Sequence, residues 1–242
     1  MTLRELVFRE VNIVLVHSGV AVPAISLDRV RAARPSASMQ VTSGPAALTI
    51  LYPDERMVVQ FDPQRVTVND NSGRNPEATP IVETALNQHL AIGAPQVVAF
   101  GYNLRFDFEA EGLDCPGESL TQGILRDPGA IGDALKAGSF QAGLSLVYQR
   151  GVKLWSLRAD PIMGAPRRLG VHANIHEDLK PPPASGASMG PPPPAWLEGA
   201  IDGTPGSELP GVEGMKGDLA LQTQTTMATV IALLTLAARR HL

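Results

Sequence analysis

A strictly alternating run at residues 104–111 constrains the fold of this chain more than any other stretch. Its apolar and charged side chains take turns, with Leu104, Phe106, Phe108 and Ala110 alternating with Arg105, Asp107, Glu109 and Glu111. Side chains two positions apart project from the same face of a β-strand. The preceding residues 97–100 are apolar throughout, which is typical of a strand buried on both faces. We therefore predict a central sheet strand here, with one face on a core.

Other β-rich segments predict the neighbouring strands. They lie at residues 3–17, 48–52, 57–61, 65–69, 141–148, 152–159 and 169–176, with short turns between several of them. Two helices are expected, one opening at Pro80 and ending at Gly93, the other at residues 129–137. The sequence therefore predicts an α+β fold in which two helices pack on a largely antiparallel sheet.

The composition changes abruptly at Lys180, where proline-rich sequence begins. Three consecutive prolines start at Pro181 and four start at Pro191, with Gly and Ser between the two runs. Such sequence favours polyproline II and cannot continue a sheet. We therefore divide the chain into a sheet domain at residues 1–179, a Pro/Gly-rich linker or arm at 180–217 and an apolar C-terminal helix at 218–242.

The arm and the terminal helix supply the candidate interaction residues. Trp196 and Leu197 stand alone in the arm, and a tryptophan there offers a large apolar area for docking. On the helix the candidates are Met227, Val230, Ile231 and Leu234. A helix this apolar must be covered, either by its own domain or by another copy of the chain. We expect self-association, as a homo-oligomer.

The overall composition limits the class of partner. A net charge of −4 and a pI near 5.7 offer no basic surface for nucleic acid. The apolar end of the chain, residues 227–238, is shorter than the roughly 20 residues of a membrane-spanning helix, so no membrane span is expected. No signal peptide is apparent. Few lysines beside abundant Ala, Gly and Pro suggest a bacterial or phage protein, and we expect it in the cytoplasm.

One cysteine, Cys115, is present, which excludes an intramolecular disulfide and a cysteine-based metal cluster. Its neighbours Asp114 and Glu118 are acidic and would disfavour a thiolate. We therefore interpret Cys115 as a loop residue rather than a nucleophile.

His172 and His176 form the sharpest constellation for chemistry. Together with Asn174 they take alternate positions of the last strand and share one face. With an expected separation of about 7 Å along the strand, the two imidazoles could share a metal if Glu177 or Asp178 joined them. Alternation on a solvated strand face explains the same pattern.

The other polar candidates have plain structural interpretations. The acidic row Asp107, Glu109 and Glu111 could bind a cation, but Arg105 beside it favours an ion-paired, solvated face. His89 lies on the apolar stripe of the Pro80 helix and is expected in the core. Neither a Gly-rich phosphate loop nor a Gly-x-Ser-x-Gly elbow occurs in a suitable context.

These features favour a non-catalytic binding or assembly protein that acts through protein–protein contacts and needs no cofactor. The alternative is a metal-dependent enzyme that uses His172 and His176 with nearby carboxylates.

Overall fold

The computed structural model describes residues 3–125, 128–135, 141–179 and 209–239. Its strands are β1 (Leu3–His17), β2 (Gln40–Ser43), β3 (Leu48–Tyr52), β4 (Met57–Asp62), β5 (Arg65–Asp70), β6 (Val97–Ala110), β7 (Leu144–Arg150), β8 (Lys153–Pro161) and β9 (Arg168–Asp178). Its α-helices are α1 (Leu27–Ala33), α2 (Ile81–Ala91), α3 (Pro116–Ile124), α4 (Pro128–Leu135) and α5 (Val212–Arg239). The α+β prediction is confirmed.

All nine strands belong to one sheet with the spatial order β2-β3-β4-β5-β1-β6-β9-β8-β7, and every pairing is antiparallel. The two longest strands, β1 and β6, pair at the centre. The alternation predicted for β6 is confirmed, because Leu104, Phe106 and Phe108 are buried. Their neighbours Arg105 and Asp107 belong to the opposite face.

Helices cover one face of the sheet. α2 packs on β1 and β5, α3 on β8 and β9, and α5 on β6 and α3. α2 lies there because Ile81, Ala85 and Gln88 form one stripe, all fully buried. The opposite face carries exposed side chains such as Gln60 and Ser156, and none of the described helices packs on it. We refer to it as the open face.

Three elements differ from the sequence expectation. The edge strand β2 was not predicted, and α3 occupies a stretch in which neither a helix nor a strand was predicted. α5 begins at Val212, within the segment assigned to the arm. Gly214 and Gly217 disfavour helix, but the fully buried Met215 packs against the sheet, and such packing overrides weak local propensity. Trp196 and Leu197 lie outside the described residues.

Candidate functional site

The inner face of α5 packs on the chain's own sheet. Val230 and Leu234 are buried there, and Met227 and Ile231 are half-buried. A small apolar gap between β6 and α5 is enclosed by Phe106, Phe108, Met227, Val230 and Ile231. The four helix residues chosen as interaction candidates therefore contact or face the sheet domain in this arrangement.

A largely buried charged cluster fastens α5 to the sheet. Lys153 Nζ on β8 lies 2.7 Å from Glu177 Oε2 on β9 and 2.9 Å from Asp218 Oδ2 on α5. The same ammonium group lies 4.8 Å from the ring centroid of Phe100, which adds a cation–π contact. We call Lys153, Glu177 and Asp218 the Lys153 cluster. Its single ammonium group lies between two carboxylates, and these contacts offset part of the cost of burying the three charges.

Tyr102 lies beside the Lys153 cluster, under the first turns of α5. Its hydroxyl donates to the backbone carbonyl of Met215 at 3.4 Å. Burial raises the pKa of Tyr102 above its usual range, and the negative charge of Asp218 raises it further. Tyr102 therefore acts as a neutral hydrogen-bond donor at neutral pH.

Polar side chains are also buried along the inner face of α5. Gln222 Nε2 donates to Asp218 Oδ1 at 2.7 Å, and the Thr223 and Thr226 hydroxyls each donate to a carbonyl one turn earlier at 2.8 Å. These groups are satisfied within the helix or by the Lys153 cluster. They make this face of α5 suited to packing on protein.

The outer face of α5 remains exposed after this docking. The exposed residues recur every three or four positions as Leu221, Gln224, Ala228, Ala232 and Leu236, which we call the outer stripe. Leu221 is 57% exposed and Leu236 is 60% exposed. No charged residue occurs between Asp218 and Arg239 on any face of the helix. A helix face left in water normally carries charges.

By length and composition, α5 could cross a bilayer. Among the described residues, the span Val212–Ala238 is the one helix that meets this test, with a mean hydropathy of 1.4. The core helix of a soluble protein, which is mostly buried, passes the same test, whereas only 33% of this apolar window is buried inside the fold. The absence of a membrane span thus stays a prediction.

A ladder of asparagines crosses the open face. Asn174, Asn103, Asn12 and Asn69 lie opposite one another on β9, β6, β1 and β5. Each amide donates to the next, with Asn103 Nδ2 lying 3.2 Å from Asn12 Oδ1 and the other two bonds joining Asn174 to Asn103 and Asn12 to Asn69. The ladder connects four neighbouring strands through their side chains.

His172 lies on the open face, as predicted, but in cationic surroundings. It pairs with Arg105 on β6 and with Arg158 on β8. Burial lowers the pKa of His172, and the two arginines lower it further against the opposing influence of Glu10. Arginines on both sides oppose the approach of a metal cation.

The partner ligands expected for His172 are not placed to share a metal with it. His176 is four residues along the strand, which corresponds to about 13 Å rather than the expected 7 Å. Glu177 belongs to the helix-covered face, where it binds Lys153. In the described parts of the chain, no group of three or more His, Cys, Asp and Glu side chains could hold a metal ion.

Arginines of β1 pair with two members of the acidic row, Asp107 and Glu109. Arg9 Nε donates to Asp107 Oδ2 at 2.7 Å, and Arg4 lies 3.1 Å from Glu109. This agrees with the ion-paired interpretation of the row. Cys115 is half-buried at the start of α3.

His89 is buried, as expected for a core histidine. His17 is buried as well, and it accepts a hydrogen bond from the backbone of Gly19 at 3.2 Å. Burial lowers the pKa of both imidazoles.

Neither the outer stripe nor the Lys153 cluster was predicted from the sequence. The outer stripe could have been recognised from the absence of charge between Asp218 and Arg239. Lys153 lies two residues before the buried Trp155, and Glu177 lies two residues after the buried Ile175. A charged residue at a core-facing position of a strand therefore predicts a buried partner of opposite charge.

Together these features define an α+β protein with a one-sided antiparallel sheet, an ion pair that fastens its terminal helix and an uncharged outer helix face. No protein-family model and no curated protein matches the sequence.

Proposed function

We propose that this protein is a non-catalytic assembly protein that associates with a second copy of itself through the outer stripe of α5. The observation that carries the proposal is the exposed, uncharged character of this stripe in a helix whose inner face is already packed. Contiguous exposed apolar surface of this kind marks interaction sites.

The geometry of the stripe suits a pair of helices. Ala228 and Ala232 are small residues near its middle, and small side chains let two helix axes approach to about 8 Å. Leu221 and Leu236 flank them. Burying each leucine on association contributes about 1.5–3 kcal/mol. In an antiparallel pair Leu221 of one copy meets Leu236 of the other, with Ala228 close to the twofold axis.

The two faces of α5 then have different roles. Met227, Val230, Ile231 and Leu234 hold the helix on its own domain, and the outer stripe contacts the second copy. Trp196 and Leu197 are proposed as additional anchors for a protein partner. This mode of action needs no cofactor, nucleic acid or membrane, and we assign it to the cytoplasm.

Light scattering over a series of protein concentrations tests this proposal. We expect the full-length protein to be dimeric or larger, and the double variant L221E/L236E to be monomeric. The matched control is L90E, which places a charge on a leucine of α2 that is 58% exposed. A monomeric wild type, or equal dissociation of L90E, would contradict the proposal.

A further inference from the structure

A depression of about 390 Å³ lies on the open face, on the side of the sheet opposite α5. It extends over β6, β9 and β8. Arg105, His172 and Arg158 line one side of it, Gly170 lies among its lining residues, and Pro161 and Ile162 add apolar surface. The assembly role proposed above leaves this region unused.

The cationic side consists of three side chains in a single cross-strand row. Arg105 pairs with His172, and His172 pairs with Arg158, so the three lie on adjacent strands with a spacing of about 4.8 Å. His172 separates the two arginines, and burial and both arginines lower its pKa, so the positive charge of the row lies at its two ends. An anion placed over His172 lies between two guanidinium groups and is attracted by both.

The arginines of the row keep hydrogen-bond donors for a ligand. Arg105 meets Glu10 through one terminal nitrogen at 3.1 Å, and Arg158 meets Asp160 through Nε at 2.6 Å. A guanidinium has five N–H donors in a planar fork that matches phosphate oxygens. His172 adds an N–H donor between them.

Gly170 occupies a position at which the fold leaves room for a larger residue. It has no left-handed backbone angle, and a Cβ atom built on it would meet only ordinary contacts, the nearest being Ile162 Cγ1 at 3.6 Å. At Gly101, by contrast, a Cβ would lie 2.6 Å from the carbonyl oxygen of Ile175. Glycine inside a strand weakens it. Its presence at residue 170 keeps the depression open.

Charge balance narrows the class of ligand. Asp107 and Asp160 line the depression on either side of Gly170, and Glu10 lies beside Arg105. These carboxylates are paired with Arg9, Arg158 and Arg105, so the ion pairs balance and protonation of His172 is what gives the region a net positive charge. An oxyanion bound beside His172 favours that protonation, whereas a cation opposes it. Pro161 and Ile162 offer contact to an organic group attached to the anion.

We infer that this depression binds the phosphate group of a small organic phosphomonoester, with Arg105, His172 and Arg158 as donors and Gly170 as the open floor.

Nuclear magnetic resonance of the full-length protein tests the inference, with phenyl phosphate as the probe. Near pH 7 we expect saturable shifts of the His172 ring signals towards the protonated imidazole, assigned with H172Q. R158Q should weaken binding at least about tenfold, because it removes charge-assisted hydrogen bonds. G170V should abolish binding by filling the floor of the depression. A thermal unfolding transition like that of the wild type checks that this variant still folds.

The matched control is R65Q, because Arg65 is an exposed arginine on the open face at β5, away from the depression. R65Q should bind phenyl phosphate as the wild type does. Inorganic phosphate should bind the same residues more weakly, because it lacks the organic group. No saturable shift at His172, or equal weakening by R65Q and R158Q, would overturn the inference, and equal affinity for the two probes would overturn the organic part of it.

Discussion

Lys153 and Asp218 are 65 positions apart in the sequence, yet the Lys153 ammonium donates to the Asp218 carboxylate at 2.9 Å. The contact joins strand β8 to helix α5, and Glu177 completes it from β9. The side chains of all three are largely removed from water, with Lys153 13% exposed. The terminal helix is thus part of the folded domain through a specific ion pair as well as through apolar packing.

Removing only the central partner of the cluster should be costly. In K153M the carboxylates of Glu177 and Asp218 lose their counter-charge, so we expect about 3–5 kcal/mol less stability towards urea. The triple variant K153M/E177L/D218L removes all three charges and should regain most of that loss. If the single and triple variants were equally destabilised, the cluster would not act as a unit.

Truncating a side chain on the buried face of β6 should cost much more stability than truncating one on its ion-paired face. F106A empties a core position beneath α5 and should lower the free energy of unfolding by about 3–5 kcal/mol. E109A removes a surface pairing with the exposed Arg4, which is expected to cost less than about 1 kcal/mol. Urea unfolding of both variants measures the difference. Similar losses would show that the register of β6 is wrong.

Acid should destabilise the fold through His17 and His89. Burial lowers the pKa of both imidazoles in the folded state, so the unfolded chain binds more protons once the pH falls below about 6.5. Their effect is absent above that pH and grows as the pH falls towards the folded-state pKa values.

The measurement is urea unfolding at pH 8 and at pH 5.5. The double variant H17Q/H89Q should lose less stability between these two conditions than the wild type. The stability that the two substitutions themselves cost is measured at pH 8, where both histidines of the wild type are neutral in the folded and the unfolded chain. An unchanged loss between the two conditions would contradict this assignment.

Elemental analysis of purified, untagged protein tests the enzyme alternative. We expect no stoichiometric transition metal, because Arg105 and Arg158 flank His172 and about 13 Å of strand separates it from His176. About one equivalent of zinc that disappears in H172A, and persists in the control H89Q, would restore the metal-dependent enzyme as the leading function.

The strands were largely predictable because one face of most strands is buried and the other is more exposed. β6 alternates in sequence as it does in the sheet, and the limits of β1 and β3 agree with the predicted strands. The pattern is local, so a single sequence suffices to show it. β2 lacked such a signal, since Gln40, Thr42 and Ser43 are all exposed at the edge of the sheet.

The sites were much less predictable, because they depend on contacts between distant segments. The carboxylate partners of Lys153 come from β9 and α5. The order of strands in the sheet places Arg105 and Arg158 on either side of His172. Neither fact follows from spacing along the chain. The sequence also left undetermined which face of α5 packs on the sheet domain, because its apolar residues cover more than one face of the helix.

Disulfide crosslinking at the outer stripe of α5 tests self-association most directly. In a C115S background, which removes the chain's own cysteine, A228C should form an intermolecular disulfide rapidly under mild oxidation, because Ala228 lies close to the proposed twofold axis. L90C, an equally exposed position on α2, serves as the control. We predict a crosslinked dimer for A228C and monomer for L90C. Monomer for both, or equal crosslinking of both, would contradict assembly through α5.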